Sequence, residues 1–141
     1  MGKFDGGLLT EKEKELRDFY NRLLNFTVKS EALMGEYNEI HTFNRENGAQ
    51  YDHKLFSFVR WSKNEKLIII SNFDDTETYH YDLQIPSDII KDWKLMDSTY
   101  MVKDQLYETV FSTLKIENGT GVMNVKLDPL ASFIFKVDID M

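Results

Sequence analysis

The sequence predicts a mainly β fold, a Greek-key β-sandwich of about eight strands preceded by one or two N-terminal helices. Helical periodicity is confined to the first 35 residues, and apolar and polar residues alternate with period two from about residue 36. Turn residues then recur roughly every 8–12 positions, as in sandwiches and Greek-key barrels. We therefore divide the chain into a helical segment, residues 1–35, and an all-β domain, residues 36–141.

The first helix is predicted to begin at Thr10. Thr10 and Glu13 form a capping box, in which each side chain satisfies a free backbone N–H at the helix start. Beyond it, apolar residues recur at helical spacing and form one stripe opposite a charged face: Leu16, Phe19, Tyr20, Leu23 and Leu24. A second short turn is predicted to start at Ser30 and to stop at Gly35.

Strands are predicted over residues 55–61, 67–70, 79–85, 93–96, 109–116, 122–127 and 132–137. Residues 62–65 are typical of a hairpin connection, and Pro86 ends the strand before it. Asn118 and Gly119 supply the two positive φ angles that a tight hairpin turn requires. Tyr79 and Tyr81 share a face with Leu83 and Ile85, which predicts a core stripe.

Composition limits the classes of partner. A chain of 141 residues is long enough for one domain with a hydrophobic core. Its net charge of −7 disfavours binding to nucleic acids or anionic membranes, which begins with a basic surface. The absence of cysteine excludes disulfides, thiol nucleophiles and cysteine zinc sites. Neither a transmembrane segment nor a signal peptide is predicted, and the compartment stays open.

No catalytic, cofactor-binding or metal-binding residue is predicted. The three histidines lie at no metal-ligand spacing and are interpreted as structural: His41, His53 and His80. Glycoside hydrolysis needs two carboxylates across a sugar, and pairs occur at residues 74–75 and at Asp138 with Asp140. Their positions in a loop and a terminal tail favour solvated carboxylates. Motifs for phosphate binding, serine hydrolysis and zinc proteolysis are absent from the sequence.

Trp61 and Trp93 are the candidate carbohydrate contacts. Large aromatic side chains offer flat faces to sugar rings while their polar atoms stay hydrated. The alternative interpretation is that both tryptophans belong to the sandwich core, which the general burial of large aromatics favours. Burial of both rings would weaken the carbohydrate interpretation.

Four segments in this order resemble the C-terminal end of an α-amylase of glycoside hydrolase family 13: "FDGGLLTEKEKELRDFYNRLLNF", "SEALMGEY", "YDHKLFSFVRWSKNEKLIIISNFD" and "LDPLASFIFKV". The first is similar to the last helix of that family's (β/α)8 barrel, and the others to its Greek-key sandwich. A strand-pair motif is matched at Phe58, Arg60, Glu65, residues 67–70, Asn72 and Phe73. The closing strand is matched at Leu127, Pro129, Ser132, Ile134 and Phe135.

The resemblance implies a domain without chemistry of its own. The family's catalytic carboxylates lie on barrel strands, and neither an F-R-x-D nor an N-H-D string occurs in this sequence. We therefore expect that this chain alone is not an enzyme. Its expected partner is the catalytic (β/α)8 barrel of the same polypeptide, which acts on α-glucans.

Three functions stay open. The first is an accessory sandwich that packs on an amylase barrel and stabilises it, with the N-terminal helix folding back over the sandwich or pairing with a second copy. The second is a carbohydrate-binding module that holds an α-glucan through exposed aromatics. The third is a stand-alone β-sandwich interaction protein, which only the fold class supports.

Overall fold

The computed structural model describes residues 30–47, 51–52, 54–108 and 110–138, together with four positions of the N-terminal segment: Glu11, Lys14, Asp18 and Asn21. These four are helical and exposed, which agrees with the predicted charged face of the first helix. The predicted capping box and apolar stripe lie outside the described residues, as do His53 and Asp140. Met1–Ser30 and Glu31–Met141 form two compact units.

A 3₁₀ turn, Ala32–Met34, precedes the first strand, as the turn predicted between Ser30 and Gly35 requires. The elements that follow among the described residues are β1 Glu36–Glu39, α1 His41–Asn47, β2 Leu55–Trp61, β3 Lys66–Asn72, β4 Tyr79–Ile85, α2 Ser87–Trp93, β5 Ser98–Asp104, β6 Phe111–Glu117, β7 Thr120–Leu127 and β8 Ser132–Val137. None of the described helices has the length and apolar character that a bilayer crossing requires.

The eight strands form one antiparallel sheet in the order β1-β2-β3-β8-β5-β6-β7-β4. The sheet curls, because inward side chains from β2 through β8 meet in a single hydrophobic core. β8 lies between β3 and β5, and β4 pairs with β7, so distant parts of the chain become neighbours as in Greek-key folds. The predicted mainly β architecture with about eight strands is confirmed.

Alternation along the strands builds this core. In β4 the predicted stripe is confirmed, because Tyr81, Leu83 and Ile85 are 3%, 0% and 0% exposed, while Tyr79 packs partly buried against the same cluster. Ile68 and Ile70 of β3 belong to the same hydrophobic core. Burying an aliphatic side chain of this size stabilises a fold by about 1.5–3 kcal/mol, so the stripe is a main source of stability.

Both predicted hairpin turns are present. The β2–β3 turn is closed by a 2.8 Å hydrogen bond from the Ser62 N–H to the Glu65 carbonyl. Asn118 and Gly119 adopt φ of 54° and 77° between β6 and β7, the positive pair that the sequence predicts. The Asp97 carboxylate accepts hydrogen bonds from both of their N–H groups, at 2.9 and 3.1 Å. Asp97, which lies outside the β6–β7 hairpin, thereby fixes the tight turn.

The strand predicted over residues 93–96 is wrong. Trp93 instead ends α2, and Lys94 stops the helix in the left-handed region with φ 59°. Ile89, Ile90 and Trp93 have the i, i+1, i+4 spacing that buries one helix face, and all three are buried. The strand of this region begins later, at β5.

Helix α1, which the sequence did not predict, protects a strand edge. β4 pairs with β7 on one side only and lies at the end of the sheet. Fully buried Asn44 of α1 accepts a hydrogen bond from the Gln84 N–H at 2.7 Å and donates to the Gln84 carbonyl at 2.9 Å. Its side-chain amide therefore imitates a neighbouring strand and satisfies edge groups that otherwise invite further pairing.

Asn72, at the end of β3, joins three parts of the domain. Its amide nitrogen lies 2.9–3.3 Å from three backbone carbonyl oxygens, those of Glu77, Leu127 and Asp128. Its Oδ1 accepts a hydrogen bond from the Asp74 N–H at 2.8 Å. The side chain is buried, so these bonds replace water for groups on β3, on the loop before β4 and at the end of β7.

The expectation that Asp74 is solvated is wrong. The residue is only 4% exposed, and its carboxylate accepts hydrogen bonds from the Thr76 and Glu77 N–H groups and the Thr76 and Tyr79 hydroxyls. These donors, the Thr76 N–H above all, hold the pKa of Asp74 well below its ordinary value of 3.8. The buried carboxylate stays ionised and organises the loop.

Replacing Asn72 with alanine is expected to destabilise the domain by about 2–3 kcal/mol, because buried carbonyls and one N–H lose their partner. Urea unfolding followed by circular dichroism measures this. The control is Asn124→Ala, whose exposed side chain bonds to His80 and Asp82 on the sheet surface. That change is expected to cost less than about 1 kcal/mol, and equal losses would contradict the bridging role of Asn72.

Candidate functional site

Residues 31–35, which we call the linker, lie against the β2–β3 hairpin. The Glu65 carboxylate accepts a hydrogen bond from the Ala32 N–H, with 2.8 Å between the nitrogen and Oε1. The Arg60 guanidinium donates to the Gly35 carbonyl at 3.3 Å. Both bonds involve a charged side chain, and the shorter, partly buried bond from Ala32 to Glu65 has the length of a strong charge-assisted bond. The hairpin thus holds the linker backbone at its start and at its end.

Position 35 has to be glycine because the neighbouring backbone leaves no space for a side chain. A Cβ atom at this position would lie 2.1 Å from the backbone oxygen of Trp61 and 3.0 Å from its carbonyl carbon. The φ angle of Gly35 is −101°, which other residues adopt, so the requirement comes from close approach to β2. Only a residue without a side chain lets the linker reach the hairpin.

Glu65 is held in position by the hairpin turn itself. Its N–H donates to the Ser62 hydroxyl at 3.2 Å, and its carbonyl accepts from the Ser62 N–H. On the far side, Oε2 lies 3.6 Å from the Lys136 ammonium of β8. The carboxylate side chain is 13% exposed, so its bond to the linker is shielded from water.

An aromatic cluster lies on the outer face of β2 and extends onto β1, the start of α1 and the residue after β3. We call it the outer aromatic cluster, and its members are Tyr37, His41, Phe56, Phe58 and Phe73. Neighbouring ring centroids are 4.6–6.5 Å apart. Tyr37 and Phe73 are 52% and 65% exposed, and the Arg60 guanidinium lies 5.7 Å from the Tyr37 ring centroid. Exposed aromatic surfaces of this kind are common at interaction sites.

β3 is buried on both of its faces. Ile68 and Ile70 point into the core, whereas Leu67 and Ile69 lie on the outer face and are 0% and 8% exposed. Ile134 of β8, paired with Ile69, is buried beside them. An antiparallel strand with one wet face alternates, as β7 does along its length, and β3 departs from that pattern.

The two predicted carbohydrate contacts come together at a pocket of about 360 Å³ beside the linker. Trp61 and Trp93 line it together with Gly35 and Glu36. The indole rings meet edge to face, with centroids 6.2 Å apart and planes at 70°. Trp93 is 3% exposed and belongs to the core, whereas Trp61 is only partly buried. Trp61 is therefore the ring that a ligand can reach.

Charged groups of both signs surround this pocket. Lys63, Lys66 and Lys94 line it with Glu36 and Asp92. The Lys66 ammonium donates to the Lys63 carbonyl at 2.8 Å and to the Ser62 carbonyl at 3.3 Å. Burial lowers the pKa of Lys66, and the nearby Lys94 charge adds to this effect. The pocket thus offers hydrogen-bond donors and acceptors around one aromatic wall.

The sequence was compared with models of protein families. The model of the alpha amylase C-terminal all-beta domain matches residues 46–138. The chain belongs to this family. The comparison with curated proteins finds no match.

Solved amylase structures share the fold of this alpha-amylase C-terminal domain. A variant of AmyP with bound maltotriose matches 99% of the chain with a TM-score of 0.60 and 15% identity, and AmyP with bound maltose matches 96% with the same values. An Anoxybacillus alpha-amylase matches 95% of the chain with a TM-score of 0.57 and 15% identity. The chain spans 23–25% of the length of these proteins, about a quarter.

The motif that carried the amylase resemblance has a structural role at each end of β3. Arg60 and Glu65 bind the linker, and Asn72 bridges the loops at the other end. Sequence reasoning matched these residues to the family but did not assign them these contacts. The available signal for Arg60 was a charged residue among the apolar residues that end β2, whereas Glu65 lies in a polar turn and carried no such signal.

Replacing Gly35 with alanine is expected to release the linker and to destabilise the domain by about 1–3 kcal/mol, because the new Cβ displaces the Trp61 backbone. Cleavage after Glu31 or Glu36 by a glutamate-specific protease, identified by mass spectrometry, measures the release. Gly119→Ala is the control, since it strains a turn with φ 77° away from the linker. Equal acceleration of linker cleavage in both variants would contradict a local role for Gly35.

Proposed function

We propose that this domain is a non-catalytic part of an α-amylase-like glycoside hydrolase acting on α-glucans, and that it packs against the catalytic (β/α)8 barrel and stabilises it. The outer aromatic cluster is the observation that carries this proposal. It is partly exposed, aromatic and next to the docked linker. In this proposal, residues 1–35 are the end of the barrel and residues 36–141 the sandwich.

The linker supports this arrangement by fixing where the chain enters the domain. Its hydrogen bonds to Glu65 and Arg60 hold residues 32 and 35 on the β2–β3 hairpin. A barrel that precedes residue 31 therefore arrives beside the same two strands. Burial of aromatic side chains against it contributes about 25 cal/mol per Å² of apolar surface, which favours docking on the outer aromatic cluster.

The buried carboxylates of the described residues support a structural rather than a catalytic role. Asp104 is fully buried, and burial raises its pKa, but its oxygens accept hydrogen bonds from the backbone N–H groups of Leu106, Tyr107 and Ile134. Asp74 is likewise engaged by its own loop. A catalytic acid must reach a substrate, and neither group is accessible.

A fusion tests the packing proposal. This chain replaces the matching quarter of the Anoxybacillus alpha-amylase, and the temperature at which amylase activity is lost is measured. We expect the Phe56→Ser, Phe58→Ser double variant to lower it, because each partly exposed ring loses about 1–2 kcal/mol of interface burial.

Phe111→Ser is the matched control, because Phe111 is a 54% exposed phenylalanine on β6, outside the outer aromatic cluster. Thermal unfolding of the isolated chain with each substitution separates the loss of domain stability from the loss of the interface. The packing proposal fails if the barrel loses activity at the same temperature with and without this chain. It also fails if the Phe56→Ser, Phe58→Ser double variant and the Phe111→Ser variant lose activity at the same temperature in the fusion.

The second candidate function is α-glucan binding at the pocket beside Trp61. One accessible indole with surrounding carboxylates and ammonium groups suits a sugar ring, which presents an apolar face and hydroxyls that donate and accept hydrogen bonds. Two of the matched amylase structures contain maltose or maltotriose, which supports this class of ligand. Trp93 is then a support for Trp61 and not a second stacking surface.

Affinity electrophoresis in starch-containing gels tests this second function. We expect the chain to be retarded by starch, and Trp61→Ala to weaken binding about tenfold by removing the aromatic wall. Phe111→Ala, which removes an exposed ring elsewhere, should be retarded like the unsubstituted chain. Unretarded migration of the unsubstituted chain would exclude glucan binding.

A further inference from the structure

The pocket beside Trp61 is assembled from three separate parts of the chain. Gly35 and Glu36 form the wall contributed by the end of the linker and the start of β1. Trp61 and Lys66 belong to the β2–β3 hairpin, and Lys94 follows α2. Glu36 is held by the pairing of β1 with β2, so the part of this wall that depends on the docked linker is Gly35.

Docking of the linker depends on a side chain that does not line the pocket. Glu65 binds the Ala32 N–H at 2.8 Å and is fastened to the hairpin turn and to Lys136. Between Ala32 and β1 the linker makes one internal bond, from the Gly35 N–H to the Ala32 carbonyl at 3.0 Å. Loss of the Glu65 contact therefore releases the start of the linker and leaves Arg60 to hold Gly35, without removing any group from the pocket lining.

We propose that the occupied pocket and the docked linker stabilise each other, so that an α-glucan bound at Trp61 locks the linker onto the hairpin. The inference rests on the second candidate function. A ligand that contacts Gly35 or Glu36 on one side and Trp61 or Lys66 on the other binds the docked state better than the undocked state. Differential affinity of this kind shifts the equilibrium towards docking.

The ligand is a short α-glucan and not an inorganic anion. Lys63, Lys66 and Lys94 are offset in the lining by Glu36 and Asp92, and two of the Lys66 donors already serve backbone carbonyls. A neutral ring against Trp61 uses all of these groups.

The coupling has a consequence for the segment that precedes residue 31. Linkage is reciprocal, so any factor by which docking raises glucan affinity is the factor by which glucan favours docking. If the barrel packs as proposed, a glucan held at the pocket restrains the connection between the two domains.

Nuclear magnetic resonance of the full chain tests the coupling with maltotriose as the probe. Hydrogen exchange of the Ala32 amide reports linker opening, because this N–H is bonded to Glu65. We expect saturating maltotriose to slow that exchange about fivefold or more, and Glu65→Ala to weaken maltotriose binding by the same factor. Glu65→Gln, which keeps the acceptor oxygen, should restore most of the affinity.

Glu117→Ala is the charge-matched control, since Glu117 is an exposed acid on β6 that lies outside the pocket lining. If the unsubstituted chain does not bind maltotriose, the glucan function fails. If it binds but Ala32 exchange is unchanged, or Glu65→Ala binds equally well, only the coupling is overturned. Slowing by phosphate instead of maltotriose would overturn the assignment of the ligand. The exchange measurement on the unsubstituted chain remains decisive even if Glu65→Ala does not fold.

Discussion

Strand β3 has to be apolar on both faces, and the rest of the domain depends on this requirement. Its inner residues Ile68 and Ile70 meet the core of the curled sheet, while Leu67 and Ile69 face outward and are also buried. A strand that alternates apolar and polar residues has its register fixed by that alternation, since a one-residue slip exposes every core side chain. The continuous apolar run in β3 does not fix the register in this way, so the register of β3 must be fixed at the ends of the strand.

Polar side chains at the two ends of β3 meet this need. At the start, the Ser62 hydroxyl and the turn bond between Ser62 and Glu65 fix the hairpin with β2. At the end, Asn72 binds carbonyl groups on two other segments, which a slipped strand could not reach. Glu65 and Asn72 belong to the motif on which the sequence resemblance to amylases rests. In this structure their contacts serve folding and attachment of the linker.

Strands in which apolar and polar residues clearly alternate were predictable from the sequence. Contacts between side chains from separate parts of the chain were not. The predicted ranges 55–61, 79–85 and 132–137 coincide with β2, β4 and β8. The error at residues 93–96 arose because a short apolar run does not distinguish a helix end from a strand, and only the spacing of Ile89, Ile90 and Trp93 does. Asp74 seemed solvated because loop position says nothing about four donors meeting at one carboxylate. The pairing of Trp61 with Trp93 was equally hidden, since it depends on α2 meeting the end of β2.

The burial of Trp93 changes what the two tryptophans can do. Its indole nitrogen is buried without a hydrogen-bond partner among the described residues, an arrangement that costs free energy and is tolerated when packing compensates. The compensation is visible in its contacts, because the ring belongs to the core cluster and meets Trp61 edge to face. Trp93 thus fixes the plane of Trp61, and Trp61 in turn forms the backbone surface against which Gly35 rests. Trp93 in the core, the accessible ring of Trp61 and the docked linker therefore form one series of contacts. A substitution at any one of the three is expected to affect the other two.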